Sequence, residues 1–195
     1  MGVHLEGFTG AQARTRTAIL QATASVLARD RNATLPEIAA AAQVARSTLH
    51  RYFADRDRLI YETTLDCVRV INDIVAAAAT SQGSAIDAMR RVITTLVPEG
   101  DRIVFLFGDP AVLRGIEAEH HPDSTPILDL IVRGQNEGAY DREISAEWLR
   151  ITLFGLLSKA CSEAARGTVP RHSVVPMLIR IFEHGARPAR PPDVV

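Results

Sequence analysis

Residues 34–59 read TLPEIAAAAQVARSTLHRYFADRDRL, and the fold turns on this stretch. Thr34 is followed three positions later by Glu37, the spacing of a capping box, and Pro36 falls in the first turn, where a missing N–H does no harm. A helix is expected to start there. Ile38, Ala39 and Ala42 give it a short apolar face, which Gln43-Val44-Ala45 interrupts. A second helix is expected over 46–53, with Leu49, Tyr52 and Phe53 as its apolar positions. Two short helices joined by a tight turn form a helix-turn-helix, whose second helix can enter the major groove of DNA. Small Ala39 lets the helices approach, while Ile38, Ala42, Val44 and Leu49 fill the wedge between them. Arg46, Ser47, Thr48, His50 and Arg51 remain on the other face, all able to hydrogen bond. The competing reading is a solvated face on an ordinary alanine-rich helix pair.

The run IAAAAQVARSTLHRYFADRDRL resembles the DNA-binding signature of the TetR family of bacterial transcriptional regulators, roughly I-A-x-x-A-G-V-S-x-x-T-L-Y-x-Y-F-x-x-K-x-x-L. Ile38, Ala39, Ala42, Val44, Thr48, Leu49, Tyr52, Phe53 and Leu59 stand as in that signature. Four positions depart from it: Gln43 replaces the turn glycine, Ala45 the serine cap, His50 a tyrosine and Arg56 a lysine. If the turn keeps a positive φ, Gln43 carries a strain of about 1 kcal/mol that glycine avoids. Ala45 offers no side-chain oxygen, so an N-cap contribution of about 1 kcal/mol is missing. His50 and Arg56 keep donors for phosphate.

Composition agrees with an all-α fold. Alanine, leucine and arginine dominate, and alternating β-branched runs are scarce. A chain of 195 residues is long enough for a substantial core. Residues 1–60 hold eight arginines against five acids, a net +3, which leaves −4 for the rest of a chain whose total is −1. The basic part carries the helix-turn-helix, the sign that contact with phosphates requires. Cys67 and Cys161 lack metal-ligand spacing and read as buried thiols. His120-His121 is the one place where a metal is worth weighing, but adjacent histidines point apart, so neither a metal nor a cofactor is assigned. No stretch has the length and apolarity of a membrane span, and the start lacks the apolar core of a signal peptide. A cytoplasmic protein is expected.

Along the chain, residues 1–9 show no periodicity and read as an arm. The first helix is expected over 10–29, capped by Thr9, with Ala18, Ile19, Ala22, Val26 and Leu27 inward. The family resemblance implies that the start of this helix comes close to the DNA backbone, which makes Arg14 a candidate phosphate contact, or else a solvated arginine. A long helix is expected over 55–79, with Ile60, Thr64, Cys67, Val68, Ile71, Ile74, Val75 and Ala78 on its inner face. Further helices are expected over 85–97, 109–119, 125–137, 146–166 and 174–186. The run 103–107 reads as a helical turn or a strand. The domains follow as 1–56 for the helix-turn-helix unit and 57–187 for a helical effector-binding and dimerisation unit, with a Pro-rich tail over 188–195.

The helix over 146–166 is apolar nearly all round and must be covered on two sides. A second copy is the simplest cover, with Leu153, Leu156, Leu157, Met177, Ile181 and Phe182 as the expected homodimer interface; a monomer with a well-packed core is the alternative. The resemblance implies a ligand cavity among the helices. Met89, Ile93, Phe105, Phe107, Trp148 and Phe154 are its candidate walls, and Cys67, Asn136 or His120 could orient a ligand; plain core is the alternative for each. No P-loop, dinucleotide fingerprint or nucleophile elbow is present, so no enzyme is expected. What the resemblance implies is a ligand-responsive regulator, released from a palindromic double-stranded operator by a small, largely hydrophobic effector. Arg46, Ser47, Thr48, His50 and Arg51 would meet the major groove, and Thr34, Tyr52 and Arg56 the DNA backbone. The alternatives are a helical small-molecule enzyme, or a protein-interaction module without DNA binding.

Overall fold

The computed structural model describes residues 9–187, so most of the expected arm and the Pro-rich tail lie outside the described residues. Every regular element among the described residues is helical. In chain order these are α1 (Gly10–Arg29), α2 (Leu35–Ala41), α3 (Arg46–Tyr52), α4 (Arg56–Ala77), α5 (Ala85–Leu96), α6 (Gly100–Phe107), α7 (Pro110–Arg114), α8 (Thr125–Asn136), α9 (Ala146–Ala165) and α10 (Val174–Ala186). Short 3₁₀ turns occupy Val97–Glu99, Ala118–His120 and Arg171–Ser173.

Local chemistry explains most of the boundaries. Thr9 and Gln12 cap α1 reciprocally, each side chain accepting from the other's backbone N–H. Asp55, Ser84 and Ser145 accept from the N–H groups of Arg58, Asp87 and Trp148 at the starts of α4, α5 and α9. The run 103–107 lies wholly within α6 and is helical. The helix expected over 109–119 stops at Arg114, where Gly115 is its C-cap.

Helix α1 packs against α2 and α4, and also against α6. Being covered on two sides turns its buried stripe from the expected one. Ile19 and Leu27 are buried as expected, joined by Leu20, Thr23 and Ala24, whereas Ala18 is exposed. Helix α6 lies along α9, α8 touches α4, α5 and α9, and α10 closes against α5 and α9. One continuous hydrophobic core runs from Ile19 to Ala186 through both halves. Burying it supplies the main favourable term of folding.

Most polar groups inside this core are paired, the buried Tyr140 hydroxyl being an exception. Thr23 and Thr63 donate to the carbonyls of Ile19 and Leu59, both at 2.7 Å. Arg102 of α6 is 7% exposed and reaches Asp66 of α4 at 2.6 Å, Glu99 at 3.0 Å and the Cys67 sulfur at 3.6 Å. Burial pushes the Cys67 thiol up to about 12, so it stays protonated beside Arg102. This cluster ties the long helix to α6 electrostatically as well as by packing.

Candidate nucleic-acid interface

Helix α2 ends as its sequence requires and at the strain its sequence implies. The Val44 N–H donates to the Ala39 carbonyl and the Gln43 N–H to the Ala40 carbonyl, both at 3.0 Å. This is the Schellman pattern, which needs a left-handed residue one place past the C-cap. That residue is Gln43, with φ at 56°. Ala45 precedes α3 without a side-chain cap.

Helix α3 has a buried side and an open side. Leu49 is fully buried and Phe53, just beyond the helix, is 1% exposed. Thr48 and Tyr52 are half-buried, while Arg46, Ser47, His50 and Arg51 are exposed. The Arg51 guanidinium lies 5.6 Å from the Tyr52 ring centre. The structure thus brings Arg46, Ser47, His50 and Arg51 together on one solvent face, with Thr48 at its edge. Donors of this kind can read guanine edges and hold phosphates.

Among the residues expected at the DNA backbone, Thr34 is exposed and its N–H and hydroxyl both donate to Glu37. Arg56 is otherwise engaged: its guanidinium donates to the carbonyls of Ala33 and, at 2.9 Å, Arg31. Its donors fasten the α1–α2 loop to the start of α4. Arg14 is exposed at the start of α1. Arg16 instead pairs with Glu62 of α4 and lies 5.8 Å from the Phe53 ring centre, fixing α1 against α4.

The expected effector wall is largely solid core. Cys67, Met89, Ile93 and Phe154 are buried in the packed cluster, and the Phe107 ring fills space against Phe154 at 4.6 Å between centres. Trp148 is 61% exposed on the outside of α9. Asn136 accepts from Arg142, and His120 faces Glu117. Phe105 of the expected wall borders an open cleft. That cleft, about 370 Å³, opens between α1, α4, α6 and α7, where Leu27, Arg31, Tyr61 and Ile116 join Phe105. A second cleft of about 330 Å³ lies between the ends of α1, α5 and α9, lined by Arg29, Asp101, Cys161 and Arg171. Sequence reasoning had no signal for Arg31 or Tyr61, whose partners lie on distant segments.

The expected partner-facing residues divide in the same way. Leu153, Leu157 and Phe182 are 1%, 0% and 3% exposed within the single chain, so no partner can reach them. Helix α9 is apolar nearly all round, so composition could not distinguish which of its apolar residues face inward. Leu156 is half-buried, and Met177 and Ile181 are exposed at 41% and 51%. Ile151 and Trp148 join them on the surface, beside Gly155, where an added Cβ would meet nothing.

Two short helices with a donor-rich outer face, mounted on a larger helical body, define a helix-turn-helix DNA-binding regulator. Residues 19–63 match the family described as bacterial regulatory proteins, tetR family. The transcriptional repressor LfrR of Mycolicibacterium smegmatis is 33% identical over 179 residues, covering 91% of this chain and 93% of that protein. The transcriptional regulator NfxB of Pseudomonas aeruginosa is 27% identical over 180 residues, covering 88% and 95%. The crystal structure of the TetR-like regulator LfrR from Mycobacterium smegmatis in complex with proflavine superposes with a TM-score of 0.69 at 28% identity. It covers 91% of this chain and 99% of that one. The chain belongs to the TetR family and is a transcriptional regulator, not an enzyme. Among the described residues no helix is long and apolar enough to cross a membrane.

Proposed function

We propose that the chain is a homodimeric repressor that holds a palindromic operator and releases it when a small, largely hydrophobic effector binds. The observation that carries the reading is the open face of α3, where Arg46, Ser47, His50 and Arg51 stand exposed over a fully buried Leu49. Arginine on base edges would specify sequence, and phosphate contacts, Tyr52 and Thr34 among them, would set register. Residues up to about 56 would act as the reading unit and residues 57–187 as the effector-binding and dimerisation unit.

The uncovered apolar residues of α9 and α10 support pairing with a second copy, since two half-sites need two recognition helices. Proflavine in the LfrR complex supports an effector that is flat and mostly aromatic. Such a ligand releases DNA only by preferring a conformer in which the two α3 helices no longer match the half-sites.

The test is fluorescence anisotropy with the DNA upstream of the chain's own gene, across a salt series. Binding well above a random-sequence control, weakening steeply with salt, is expected. If it only matches the control, selection from random duplexes decides, and failure to enrich any palindrome overturns the reading.

A further inference from the structure

The cleft between α1, α4, α6 and α7 is already occupied at its edge by a flat cation, the chain's own Arg31. Its guanidinium lies 5.7 Å from the Phe105 ring centre. It donates to the carbonyls of Val104 at 3.2 Å and Phe105 at 3.0 Å, at the C-terminal end of α6. Asp109 stands 4.0 Å away. An aromatic face, carbonyls at the negative end of a helix and a carboxylate are the elements that hold a delocalised cation. The same cleft continues over the half-buried ring of Tyr61 and the exposed carboxylate of Asp57. The Asp57 side chain has no hydrogen bond or ion pair among the described residues, so its carboxylate has no partner. Ile60, Val112 and Ile116 supply apolar walls, and about 370 Å³ is room for a three-ring aromatic.

Resting on the effector reading above, we propose that this cleft binds a flat aromatic cation, which takes Arg31's place on Phe105. The consequence follows from what Arg31 connects. It lies in the loop between α1 and α2, and its main-chain carbonyl accepts from Arg56 at the start of α4. With its guanidinium on α6, it fastens the DNA-reading half to the effector half at one point. Displacing the guanidinium leaves the loop attached to α4 but no longer to α6. Conformers with α2 and α3 turned away from the half-site positions then become accessible. Binding of the cation and of DNA oppose each other by the same factor, whichever is added first.

The probe is 9-aminoacridine, a fluorescent three-ring cation, titrated into the full chain without DNA; acridine, uncharged at neutral pH, is the control. The cation is expected to bind about tenfold or more tightly than acridine. Asp57→Asn combined with Asp109→Asn is expected to weaken it about tenfold. Arg31→Ala removes the internal competitor and is expected to tighten binding about fivefold. Equal affinity for the two dyes, or no effect of the double aspartate change, overturns the proposal. So does loss of dye binding in Arg31→Ala when the variant unfolds at the wild-type temperature. Should Arg31→Ala fail to fold, Phe105→Leu keeps the apolar volume, removes the ring and is expected to weaken the cation selectively. Operator DNA enters only in a second titration, which keeps the two readings apart. Dye that binds with the expected aspartate dependence but leaves operator binding unchanged overturns the release step of the repressor reading. An operator complex with no dye affinity in the free chain overturns the cleft alone.

Discussion

Helix α3 and the α9–α10 pair are both surfaces that the single chain leaves uncovered, and their chemistries are opposite. On α3 the exposed positions are Arg46, Ser47, His50 and Arg51. On α9 and α10 they include Trp148, Ile151, Met177 and Ile181, of which Trp148 is 61% exposed. Charged donors lose little by standing in water and gain when a polyanion displaces counterions. Large apolar side chains clustered in water gain only when a matching apolar surface removes them from it. The first surface suits a nucleic acid and the second suits a copy of itself. The comparison breaks if either surface can be ruined without consequence for its own partner.

The largest effect is expected at the apolar surface. Ile181→Asp places a charge where two copies would meet, and one buried unpaired carboxylate costs several kcal/mol. The dimer is expected to weaken on the order of a hundredfold, measured by sedimentation equilibrium. Operator affinity should fall with it, while the helical content of the monomer is retained. A dimer of unchanged mass would show that the apolar face of α10 is not the contact. On α3, Arg51→Ala is expected to weaken operator binding about tenfold and to leave the dimer intact, because a good base or phosphate contact is worth about 1–3 kcal/mol. Anisotropy and sedimentation on the same two variants separate the surfaces. Arg51→Ala with unchanged DNA affinity would mean that α3 presents a different edge to DNA.

How far each surface could be read from the sequence follows from the same contrast. Around α3, local spacing suffices: Thr34 with Glu37 sets the start of α2, Val44 and Leu49 set the packing, and polar residues mark the open face. The α9 surface depends on which side of a helix apolar nearly all round meets α6 and α8. Leu153 and Ile151 are alike in character, yet one is 1% and the other 47% exposed. Only tertiary packing separates them, so the expected interface mixed core with surface. The effector wall fared similarly, because Met89, Ile93 and Phe154 are what a core residue looks like whether or not a cavity adjoins it. The intrachain role of Arg56 was hidden for another reason. Its partners are main-chain carbonyls of Ala33 and Arg31, and no residue type advertises a free carbonyl.

The turn between α2 and α3 sharpens the comparison at smaller scale. Gln43 at φ 56° does the work that Gly138 and Gly167 do, at φ 76° and 78°, after α8 and α9. A left-handed glutamine is strained by about 1 kcal/mol relative to glycine. Gln43→Gly is therefore expected to raise global stability by up to about 1 kcal/mol, read from denaturant midpoints at constant m. Ala79, at φ 50° beyond α4, is a second such position. Its carbonyl and those of Ala78 and Gln82 accept from Arg91, which fixes the strained end in place. If Gln43→Gly lowered stability instead, the added freedom of glycine in the unfolded chain would outweigh the relief of strain.

The smallest expected effect is the most local one, at the start of α2. The Glu37 carboxylate accepts from the Thr34 N–H at 2.6 Å and from its hydroxyl at 2.7 Å. Those two bonds, the backbone one foremost, hold its carboxyl below the usual glutamate range. A carboxyl whose folded pKa is depressed stabilises the fold above its unfolded value. That contribution disappears as the pH falls through the folded value. Glu37→Ala should therefore lower the melting temperature slightly at neutral pH, and the difference from the parent chain should close in acid. The site is fully solvated, so added salt should narrow the difference as well. A deficit that persists unchanged into acid would assign the effect to lost helix-start packing. In that case the turn that aims α3 would rest on Pro36 and Ile38 more than on the cap.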